Sequence, residues 1–120
     1  MKMITFLKPN QVFVFGSNYD GYHAGGAAKF ATLWGAKIGQ NSGRMGQTYA
    51  IVTMDLKSNS FVGWDKVKEQ FTEFLKHVKE NDELEFLLTP IGTGIAGGKI
   101  QDLDLLLNDF VLPKNLIKLW

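Results

Sequence analysis

The chain has 120 residues, 45% hydrophobic, 12% aromatic and 21% charged, the proportions of one globular domain around one core. A net charge of +1 lacks the electrostatics of nucleic-acid binding, and no run of about 18 apolar residues is present to span a membrane. Cysteine is absent, which excludes thiol catalysis, disulfides and Cys-based zinc sites and makes a reducing cytoplasm the expected compartment.

Ile4 to Leu7 offers a short edge strand. Gln11-Val12-Phe13-Val14-Phe15 is a continuous apolar run ending at Gly16, the pattern of a buried strand. Gly25 to Trp34 is Ala-rich and predicts a short helix, and the polar, Gly-rich stretch from Gly35 to Gln47 predicts a loop. Thr48 to Thr53 is β-branched and reads as a second strand. Asn59 or Ser60 is placed to cap the next helix, whose apolar positions Val67, Phe71, Phe74, Leu75 and Val78 form one stripe from Trp64 to about Lys79. His77 falls on the polar side of that helix and is expected to face solvent. Glu85 to Thr89 predicts a third buried strand, broken by Pro90. Leu103, Leu106, Leu107 and Phe110 mark a helix from about Lys99, and Leu116 to Trp120 predicts a last strand. Alternating strands and helices predict an α/β domain with a mostly parallel sheet covered on both faces.

Glycine is the informative excess, at 13 of 120 residues. Eight fall between Gly16 and Gly46 and four between Gly92 and Gly98, and each cluster begins just beyond an apolar strand. In parallel sheets ligands bind beyond the carboxyl ends of the strands, so the two clusters predict one site. The first, Gly16 to Ala28, gathers Ser17, Asn18, Asp20 and His23 ahead of Gly25-Gly26-Ala27 at a helix start, where backbone amides favour an anion. The second is Ile91-Gly92-Thr93-Gly94-Ile95-Ala96-Gly97-Gly98-Lys99. It satisfies G-x-G-x-x-G, but the chain ends before the strand that would carry a ribose-reading acid. It also fails the Walker A pattern, with Thr93 in place of the first glycine and Ile100 in place of the hydroxyl residue. What remains is a turn of backbone donors suited to phosphate.

These two stretches resemble the ligand loops of macro domains. Phe15-Gly16-Ser17-Asn18 with His23-Ala24-Gly25-Gly26-Ala27-Ala28 is similar to the family's first loop. Thr89-Pro90-Ile91-Gly92-Thr93-Gly94-Ile95-Ala96-Gly97 is similar to its diphosphate loop. The resemblance implies a three-layer α/β/α domain that takes ADP-ribose or a related nucleotide diphosphate, free or on an ADP-ribosylated protein; no cofactor is expected, and two histidines without local spacing and no cysteine argue against a metal site. It implies contact of Asn18 with the distal ribose and of Gly16, Ser17, Gly25, Gly26 and Ala27 with the ligand's edge. Gly92, Thr93, Gly94, Ile95, Ala96 and Gly97 would hold the diphosphate, with Ile95 over the ligand.

Some macro domains hydrolyse ADP-ribosyl esters or ADP-ribose phosphates, and catalysis here would fall to Asn18, Asp20 and His23. Two departures stand against the family pattern. The first strand opens on Gln11-Val12 without an adenine-reading acid, and Ala24 to Trp34 contains no carboxylate. The alternatives are a non-catalytic nucleotide sensor or sequestering module, or a Rossmann-like binder of a nucleoside monophosphate or phosphosugar. Several side chains have two readings each. His23 is either a general base or an exposed loop residue, Asp55 faces the pocket or away, and Arg44 meets a phosphate or solvent. Tyr19 and Tyr22 stack on ligand or pack the loop, and Trp34 and Trp64 are core plugs or lids rather than ligand contacts.

Overall fold

The computed structural model describes residues 4–23 and 25–120. Its strands are β1 (Gln11–Asn18), β2 (Gly43–Met45), β3 (Thr48–Asp55), β4 (Ser60–Phe61), β5 (Glu85–Leu88) and β6 (Leu116–Lys118). Its helices are α1 (Gly26–Ala31), α2 (Trp64–Glu80) and α3 (Ile100–Asn108), with a 3-10 turn at Thr32–Trp34. The strands form one mixed sheet in the order β2-β3-β1-β5-β6, with β4 paired to β3. The β1/β3, β1/β5 and β5/β6 pairs are parallel, and only the β2/β3 and β3/β4 pairs are antiparallel.

The unbroken apolar run of β1 follows from burial on both faces. Val12 and Val14 point to one side with Tyr49, Ile51, Phe86 and Leu88, against the α2 stripe and Leu103, Leu106 and Leu107 of α3. Phe13 and Phe15 point to the other side with Ala50 and Leu87, against Ala31, Ala36, Met45 and Leu119. The core is thus two clusters divided by the sheet rather than one.

Four local expectations are corrected. Ile4 to Leu7 is not a strand; Leu7 instead packs into the second cluster. The expected loop from Gly35 to Gln47 contains β2, which pairs Arg44 with Tyr49 and carries no apolar run of its own. Neither Asn59 nor Ser60 caps α2, because Ser60 pairs with Asp55 in β4 and the N-cap position is Gly63. His77 is not on a wet face. Its ring lies 5.4 Å from that of Tyr49 and 5.6 Å from that of Phe86, and its Nε2 meets Arg44 Nη1 at 3.2 Å. Burial and the Arg44 charge lower the His77 pKa, and Glu80 opposes them. No helix among the described residues is long and apolar enough to cross a membrane.

Candidate functional site

β1, β3 and β5 run parallel, so their carboxyl ends open on one edge of the sheet. A cavity of about 470 Å³ lies there, within the roughly 300–1,000 Å³ range of small-molecule sites. Both glycine loops line it. Gly16, Ser17 and Asn18 form its floor, Gly25, Gly26 and Ala27 one wall, and Gly92 to Ala96 another. The sheet is locally irregular at this point. Ser17 pairs with Val52 but Asn18 pairs with Met54, leaving Thr53 as an extra residue whose Oγ1 donates to the Ser17 carbonyl at 3.2 Å. Gly16 is required by that packing, since a Cβ there would stand 2.8 Å from Thr53 Oγ1.

Loop two is a closed turn. The Gly98 amide donates to the Gly92 carbonyl at 2.8 Å, the Gly97 amide to Gly94 at 3.0 Å, and Thr93 Oγ1 to the Pro90 carbonyl at 2.5 Å. The turn rests on Trp64, the first residue of α2, which meets Phe61 edge-on at 4.9 Å between ring centroids. A Cβ on Gly98 would lie 2.5 Å from the Gly92 carbonyl oxygen and 2.7 Å from the Trp64 ring. These closures leave the amides of Gly94, Ile95 and Ala96 without a hydrogen-bond partner among the described residues. Across the cavity, the first helical bond of α1 runs from the Lys29 amide to Gly25, and no side chain caps the helix. The amides of Gly26, Ala27 and Ala28 therefore have no intrahelical acceptor.

The other residues singled out from the sequence separate into distinct roles. Asn18 lines the cavity, yet its carboxamide is engaged at both ends, Nδ2 donating to the Tyr22 carbonyl at 2.8 Å and Oδ1 accepting from the Tyr22 amide at 2.9 Å. Ser17 Oγ donates to the Asn41 carbonyl. Ile95 is 83% exposed at the rim, and Tyr22, also exposed, lines the mouth. Asp20, His23 and Gly97 are not among the lining residues. Asp20 is exposed. His23 is neither a cavity base nor a surface residue. It is 4% exposed, with Nε2 3.0 Å from the Lys37 carbonyl and its ring edge-on to Phe15 at 5.3 Å, so it props loop one from beneath.

Asp55 does not line the cavity either; its Oδ1 accepts from the Lys57 amide at 3.0 Å and tightens the β3–β4 turn. Arg44 turns to His77 and to the Gly46 carbonyl, far along the strands from the carboxyl ends. Trp34 packs on Phe13 at 5.0 Å.

The sequence pattern did not reveal a third wall, from Thr53, Met54, Leu56 and Asn59. No motif marks it; the only signal is that the strand from Thr48 also ends on this edge. Among the described residues, no Asp, Glu, Lys, Arg or His lines the cavity. No protein-family model matches the chain, and no curated protein is significantly similar to it.

Proposed function

We propose that this chain binds ADP-ribose or a related nucleotide diphosphate in a macro-like, three-layer α/β/α domain. The reading is carried by the amides of Gly94, Ile95 and Ala96, which have no partner among the described residues and stand across a cavity from the first-turn amides of α1. Amides fixed in a turn take up the charge of phosphate oxygens without reorganising, and they need no neighbouring Lys or Arg to do so. Two banks of such donors suit two linked phosphates.

Recognition without hydrolysis is the form the lining favours. General acid–base chemistry requires a titratable group within hydrogen-bond reach of the reacting atoms, and among the described residues the lining supplies only the phenol of Tyr22, at the exposed mouth. The role that fits this lining is sensing or sequestering, on free ADP-ribose or on ADP-ribosylated protein, and the absence of cysteine fits a reducing cytoplasm.

Thermal melting with ADP-ribose, ADP, AMP and NAD tests the proposal. A ligand at 100 times its Kd stabilises the fold by about 2.7 kcal/mol, a rise of several degrees for a domain of this size. The expected result is a shift with ADP-ribose that exceeds the shift with AMP, and no release of ADP-ribose from modified protein. Equal, negligible shifts with all four would overturn the reading. AMP ranking first would replace it with a nucleoside monophosphate site.

A further inference from the structure

Among the described residues the cavity has seven polar side chains on its lining, and most are spent on the protein itself. The hydroxyls of Thr53, Thr89 and Thr93 donate to the carbonyls of Ser17, Val14 and Pro90, Ser17 donates to Asn41, and Asn18 is held at both ends by Tyr22. Only Asn59 and Tyr22 keep side-chain polar atoms with no partner among the described residues. Asn59 is also the only non-glycine with positive φ among those residues, at 51°. Asparagine tolerates that conformation better than most side chains. The turn around it is braced by Asp55 Oδ1 on the Lys57 amide and by a 2.6 Å contact between the hydroxyls of Ser58 and Ser60. The carboxamide therefore projects from a defined backbone.

We infer that Asn59 is a specificity-determining residue that reads the vicinal hydroxyls of a ribose attached beyond the diphosphate. The inference rests on the diphosphate reading above and assigns one end of that ligand. A carboxamide offers donors and an acceptor side by side, and neighbouring hydroxyls each donate and accept, so the two match in pairs. The strand order places the ends of the ligand. The β3–β4 turn lies on one side of β1 and loop two, after β5, on the other. Exposed apolar residues line both sides, Ile95 on loop two and Leu56 in the β3–β4 turn, but among the described residues only the β3–β4 side adds a carboxamide with no partner. The hydroxyl-rich end consequently falls to Asn59. Asn18, to which the macro resemblance gives the sugar, has already committed both carboxamide atoms to its own loop.

Titration calorimetry on wild type and Asn59→Gly, each with ADP-ribose and with ADP, tests this. Glycine keeps the positive φ and removes only the side chain. ADP retains the diphosphate but lacks the second ribose. The expected result is about a tenfold loss of ADP-ribose affinity, the scale of one or two neutral hydrogen bonds, with ADP affinity within about twofold of wild type. Retained ADP binding also shows that the variant is folded. Equal losses for both ligands would make Asn59 a structural residue and overturn the inference, as would ADP-ribose affinity unchanged in the variant. A wild type that binds neither ligand would remove the diphosphate reading, and this assignment with it.

Discussion

Gly98→Ala is the sharpest test of how loop two is built. The new Cβ would lie 2.5 Å from the Gly92 carbonyl oxygen and 2.7 Å from Trp64 Cζ2. Neither obstacle swings aside, since one is backbone and the other is a ring wedged against Phe61. Relief requires the turn to open, which breaks the 2.8 Å bond from the Gly98 amide to that same carbonyl. Overpacking of this kind costs about 1–3 kcal/mol and the lost hydrogen bond about 1 kcal/mol, a sum of roughly 2–4 kcal/mol. At about 4 °C per kcal/mol for a domain of intermediate size, Tm falls by roughly 8–16 °C. The control is Gly94→Ala in the same loop, where a Cβ meets no atom within 4 Å and φ lies outside the left-handed region. Its stability stays within about 0.5 kcal/mol of wild type. Circular-dichroism melts of the three proteins decide the matter. A Gly98→Ala variant melting with wild type, or a Gly94→Ala variant melting as low as Gly98→Ala, would refute the steric argument.

The irregularity between β1 and β3 makes a second prediction. Gly16→Ala brings a Cβ to 2.8 Å from Thr53 Oγ1 and costs about 1–3 kcal/mol, while Gly16→Ala with Thr53→Ala costs less than the sum of the two single changes. Denaturant unfolding of the full cycle measures the coupling, and simple additivity would count against contact between these positions. A third concerns acid. Burial and Arg44 hold the His77 pKa below its ordinary 6.5, so below that pH the unfolded chain takes up a proton that the folded chain refuses. Stability therefore falls as pH drops from about 6.5 toward the folded pKa. The fall is shallower in His77→Gln, which can still accept from Arg44; parallel Tm-against-pH curves for the two proteins would disprove the linkage.

Sequence alone determined much of the sheet and of the site's backbone. The strands at Gln11, Thr48 and Glu85 were legible because both of their faces are buried, so apolar and β-branched residues follow one another without polar alternation. α2 was legible because its stripe keeps helical spacing against a single face of the sheet. The two glycine loops were legible because each begins directly beyond such a strand. β2 and β4 were not, being three and two residues long and held by pairing with β3 rather than by any pattern of their own.

Side-chain assignments were decided only by the tertiary structure. Asn18, His23 and Asp20 are all polar residues in one loop, and nothing in their order says which way each one turns. Folding directs Asn18 to the Tyr22 backbone, buries His23 against Phe15 and leaves Asp20 outside the cavity. Asn59, 41 residues beyond Asn18, reaches the cavity because β3 lies beside β1 and its turn opens on the same edge. A local pattern records what each segment buries and where it bends. Which side chains meet across a cavity depends on strand order and register, and those are set by pairings between residues far apart in the chain.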